Sequence, residues 1–91
     1  MNRMIWETPD ELIYNLAQRV KRVRKRRKIS QEELANMSDV SFGSIKRFET
    51  TGQISLISLV KISTVLDLSD ELRNLFTEVN YLSIDEVLND D

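Results

Sequence analysis

The chain has 91 residues, enough for one domain, with 13 Lys and Arg against 15 Asp and Glu and a formal net charge of -2; taken whole, that mild acidity argues against a nucleic-acid binder. It has no Cys, no His, two Gly and one Pro, which excludes a disulfide framework, thiolate or imidazole metal sites, histidine acid–base chemistry and a glycine-rich phosphate loop. No apolar run approaches the roughly 20 residues of a membrane span, Met1 to Trp6 lack the apolar core of a secretory signal, and the composition suits a soluble cytoplasmic domain without a cofactor.

The first predicted helix spans 9–27. Thr8, Pro9 and Glu11 supply a capping threonine, a proline at the first helical position and the glutamate of a capping box. Its apolar stripe is Ile13, Leu16, Val20 and Val23, and Arg24 falls inside that stripe. Lys21, Arg22 and Lys25 fall on the far side. A guanidinium turned toward the core requires a carboxylate with good hydrogen bonds.

Ser30 with Glu33 opens a second helix at 31–37, and Ser41 caps a third at 42–50. The short link from Ser38 to Ser41 has the length of a helix-turn-helix corner. On helix three, Ile45 and Phe48 form the core face, with Glu49 beside Ile45. Glu49 is therefore the candidate partner of Arg24; the competing reading has both side chains reach water independently. Phe42, Gly43, Lys46 and Arg47 share the opposite face. Bases can donate to guanine edges, an apolar ring can meet a thymine methyl, and glycine permits close approach, so this face suits the major groove. The alternative for Phe42 is a ring folded back onto the protein. Gly52 follows the end of helix three, where positive φ is common.

Ser55 and Ser69 precede further apolar patterns, predicting helices at 55–66 and 69–78, and Ser83 leaves room for a short sixth at 84–88. Charge divides along these elements. Residues 19–61 carry eleven bases and four acids, whereas residues 62–91 carry one base and eight acids. The domain reading is an arm at 1–8, a helix-turn-helix domain at 9–78 and an acidic extension at 79–91. Trp6, Tyr81, Leu82, Ile84, Val87 and Leu88 do not fit inside the five-helix count. They pack within the chain, form a dimer contact or meet a protein partner. Asp85, Glu86, Asp90 and Asp91 read as a solvated acidic end rather than a cation site, and nothing forms a catalytic constellation.

The stretch Ile29-Ser30-Gln31-Glu32-Glu33-Leu34-Ala35, then Val40-Ser41, Ser44-Ile45 and Glu49, resembles the phage repressor/Cro-type (XRE-like) helix-turn-helix family. Ser55-Leu56, Leu59 to Ile62 and Val65-Leu66 resemble its fourth helix. The resemblance covers about residues 12–76. It implies an all-α, compact five-helix domain of the lambda-repressor type, acting as a dimeric repressor on double-stranded DNA. It implies DNA contacts from Gln31, Ser41, Phe42, Gly43, Ser44, Lys46, Arg47 and Thr51, with Gln31 on phosphate. It also implies the Arg24–Glu49 ion pair. Asp39 stands at a turn position where the family usually has Gly, and Phe42 and Gly43 offer no side-chain hydrogen bond to a base. Trp6 to Pro9 together with Ser41 to Leu56 is further similar to HipB-like antitoxins, which accompany a kinase toxin and repress their own operon.

Overall fold

A computed structural model describes residues 6–78. Five helices run in order: α1 Pro9–Arg26, α2 Gln31–Ser38, α3 Phe42–Thr51, α4 Leu56–Val65 and α5 Ser69–Arg73. The described fold is all-α, as the absence of any sustained two-residue alternation predicts.

Four helices start where a hydroxyl can cap them. The side chains of Thr8, Ser30, Ser41 and Ser55 each accept a backbone N–H three residues on. Thr8–Glu11 and Ser30–Glu33 close complete capping boxes, so two otherwise unpaired donors are satisfied at each of those starts. α5 starts at Ser69, as expected, but differs in its cap and at its far end. Leu68 occupies its N-cap position without a side-chain hydrogen bond, and Ser69 is already helical. The helix stops at Arg73 instead of 78 because Phe76 turns to φ +62° and Thr77 N–H bonds back to the Asn74 carbonyl. The expected sixth helix at 84–88 lies outside the described residues.

The helix ends share one device. Lys28, Asp39, Gly52 and Asp67 all take left-handed backbone at the ends of α1 to α4. After α1, Ile29 N–H reaches the Arg24 carbonyl and Lys28 N–H the Lys25 carbonyl. After α4, Leu68 N–H reaches the Ser63 carbonyl and Asp67 N–H the Thr64 carbonyl. Both are Schellman closures built without glycine.

Ala17, Leu34, Val40, Ile45, Phe48, Ile62 and Leu66 form the buried core, drawn from α1 to α4 and the links around them. Val20, Val23, Ile29, Ala35, Ile54, Leu59, Val65 and Leu68 pack around it. The apolar stripe of α1 is rotated from expectation. Ala17 is fully buried, whereas Leu16, expected in the stripe, is 43% exposed. The small Ala17 lets α1 lie close to the core beside Arg24, and that approach turns Leu16 outward. α4 carries Ile62 inward and leaves Leu56, Ile57 and Val60 exposed.

Candidate nucleic-acid interface

The α2–α3 corner is held from both sides. Asp39 has φ +62° and ψ +34°, and its N–H closes on the Ala35 carbonyl. Aspartate visits this region more readily than most residues, because its short polar side chain can bond locally. Val40 then enters the core, and the Ser41 hydroxyl donates to Ser44 Oγ at 2.8 Å while accepting Ser44 N–H at 3.1 Å. These contacts set the direction in which α3 leaves the corner.

α3 is divided lengthwise. Ile45, Phe48 and Glu49 are buried, while Phe42, Gly43, Ser44, Lys46, Arg47 and Thr51 are exposed. The Phe42 ring does not fold into the core; Lys46 Nζ lies 5.6 Å from its centroid, within cation–π range. Among the described residues, its chain neighbours and own helix backbone aside, nothing lies within 4 Å of a Cβ placed on Gly43, so internal packing does not demand glycine there. Arg47 donates to the Gln53 side chain. Thr51 is committed to its own backbone: its hydroxyl donates to the Arg47 carbonyl at 2.8 Å and accepts Gln53 N–H at 3.0 Å.

Behind this face lies a buried ion pair. Arg24 Nε and Nη2 donate to the two Glu49 carboxylate oxygens at 2.7 and 2.8 Å, and Nη1 donates to the Ile29 carbonyl at 2.8 Å. Gln31, half-buried at the start of α2, donates through Nε2 to Glu49 Oε1 at 2.9 Å. Gln18 donates to the Glu49 backbone carbonyl at 2.8 Å. No buried side-chain polar atom among the described residues lacks a partner. Burial alone would raise the Glu49 carboxyl. Hydrogen bonds from Arg24 and Gln31, with the charges of Arg24 and Lys21, outweigh it and hold the group below its ordinary carboxylate value.

The structure thus brings Gln31, Arg24 and Glu49 into one network and the remaining candidate residues onto or beside one exposed surface. Sequence reasoning missed Gln18 and Gln53. Gln53 follows Gly52 directly, and a left-handed turn there carries the next side chain back toward α3; that was the available signal. Nothing marked Gln18, whose partner is a backbone atom 31 residues away.

A family model described as helix-turn-helix matches residues 20–72, which includes all of α2, α3 and α4. The chain belongs to the XRE-type helix-turn-helix family. Members of this family are DNA-binding transcription regulators, and the α2–α3 corner with its exposed α3 face is the family's motif as it stands in this chain. Among curated proteins, none matches the chain. None of the described helices is long and apolar enough to cross a membrane.

Proposed function

We propose that this XRE-type regulator is a homodimeric, sequence-specific repressor that lays α3 in the major groove. One observation carries the reading: the face of α3 bearing Phe42, Gly43, Lys46 and Arg47 takes no part in the core, while its other face is fixed by Ile45, Phe48 and the Glu49 network. Arg47 reads a guanine edge with donors that Gln53 leaves unused. The Phe42 ring supplies apolar contact to a thymine methyl and steadies Lys46. Ser41, Ser44 and Thr51 line the same approach. Gln31 keeps one Nε2 hydrogen for a phosphate. Lys21 and Lys25 recur at helical spacing on α1, and with Lys28 just beyond its end they add phosphate contacts that make binding salt-dependent. The dimer reading draws on α4, whose exposed Leu56 (73%), Ile57 (63%) and Val60 form an apolar patch, bordered by Lys61, suited to a copy of itself.

Selection from random duplex DNA tests this directly. The expected product is an inverted repeat with half-site centres about 34 Å apart, or a multiple of that. Recovery of unenriched sequence at low salt would overturn the reading. A promoter fused to the selected site then fixes the sign of regulation, with lower output expected when the protein is expressed.

A second reading has the chain also act as an antitoxin for a partner kinase toxin. Trp6 (82% exposed) and Phe76 (91% exposed) favour it, because neither packs within the described fold. Co-expression with a kinase encoded in the neighbouring reading frame should give a complex that co-elutes; separate elution counts against this role without touching DNA binding.

A further inference from the structure

We propose that the outer face of α1 is the docking surface for residues 79–91 of the same chain. Arg19, Arg22 and Arg26 are exposed and recur at helical spacing on the side of α1 opposite Ala17 and Arg24. Leu12 (42% exposed) and Leu16 (43% exposed) flank that stripe toward the start of the helix. Among the described residues the ion pairs use Arg24, Arg27 and Arg73, leaving these three arginines without a carboxylate. Like charges at this spacing repel on a helix surface, and an acidic cover relieves them.

Residues 79–91 match both parts of the face. They contain Tyr81, Leu82, Ile84, Val87 and Leu88 beside Asp85, Glu86, Asp90 and Asp91, and no basic residue. A phosphate backbone would satisfy the arginines but leave Leu12 and Leu16 bare, so an acidic segment with apolar residues fits the surface better. The segment is long enough to run along this face. The link into α5 sits at the C-terminal end of α1, where Arg27 and Asp67 approach to 3.8 Å. Thirteen residues follow Glu78; they span about 43 Å extended or about 20 Å as a helix, and Leu12 to Arg26 spans about 21 Å. Docked there, the segment hides three arginines from non-specific DNA and leaves the α3 face open.

The chain has no cysteine, so Asn89→Cys in the full-length protein places one nitroxide label. Paramagnetic loss of amide signal is expected at Leu12, Leu16, Arg19 and Arg22, absent after reduction of the label. The signals should return in high salt and in the Arg19→Glu/Arg22→Glu variant. No loss on α1, or loss centred on Ile57 and Val60, would overturn the proposal. So would loss seen only when labelled chains are mixed with separate isotope-enriched chains, which assigns the segment to a second copy. The readout needs no DNA, so its failure and failure of the repressor reading are separate outcomes.

Discussion

Glu49→Ala removes the only carboxylate that faces Arg24 in the described fold and leaves that arginine, 7% exposed, unpaired. Gln31 loses its acceptor at the same time. Breaking one side of a buried, hydrogen-bonded pair costs about 3–5 kcal/mol. A chain of 91 residues is expected to hold about 5–14 kcal/mol in total, so this single change removes a large share. Urea unfolding followed by circular dichroism should show a lower midpoint with an unchanged slope. Thermal melts should move down by about 4–8 °C for each kcal/mol lost. The companion variant Arg24→Met/Glu49→Leu removes both charges and keeps the volume filled; it should recover most of the loss or exceed the parent. A Glu49→Ala cost below about 1 kcal/mol, or a double variant as unstable as the single, would refute the view that the damage is an uncompensated buried charge.

Acid should probe the same group. Because the folded Glu49 carboxyl titrates below its ordinary value, its contribution is present above the unfolded value of about 4.3 and is lost as pH falls through the folded value. A melt series from neutral to acid should show the parent falling in that window, and Glu49→Gln, already destabilised, falling less steeply there. The two glycines should respond oppositely to alanine. At Gly52, with φ +88°, a Cβ would stand 2.5 Å from the Ile13 backbone carbon, so Gly52→Ala should cost more than the ~1–3 kcal/mol of a strained backbone alone. Gly43→Ala meets open space and should stabilise by up to about 1 kcal/mol while weakening operator binding, measured by a filter or fluorescence titration. Arg47→Ala should cost about 1–3 kcal/mol of operator affinity and relax preference at one base pair, with the melting temperature unchanged. Lys28→Gly should raise stability by about 1 kcal/mol, since the left-handed region penalises a Cβ; no gain in the urea midpoint would refute that account of the turn.

The starts of α1 to α4 were legible because a hydroxyl that caps a helix sits at a fixed offset from the donor it satisfies, as at Thr8, Ser30, Ser41 and Ser55. The ends were less so, because Lys28, Asp39 and Asp67 fill positions where glycine is the usual signal. The apolar pattern of α5 continues through Leu75 and Phe76, beyond the helix's end at Arg73, yet both stay exposed and have nothing to pack against within the described fold. The division of α3 could be read from helical periodicity, as could the inward turn of Arg24. Leu16 leaves its stripe because an apolar residue at the edge of a stripe is placed by whichever neighbour packs closest, and here that is the small Ala17. The link from Gln31 to Glu49 depends on how α2 and α3 cross, which spacing along one helix does not encode.

The lengthwise division of α3 has an evolutionary consequence. Its inward half, with Arg24, Gln18 and Gln31 gripping Glu49, carries the geometry, and its outward half carries almost none of the folding free energy. Substitutions at Phe42, Gly43, Lys46 and Arg47 can therefore accumulate with little penalty to folding. A descendant can drift to a new operator one side chain at a time without passing through an unfolded ancestor. Exchanging these four positions between related regulators should transplant a binding preference while the melting curve stays nearly in place.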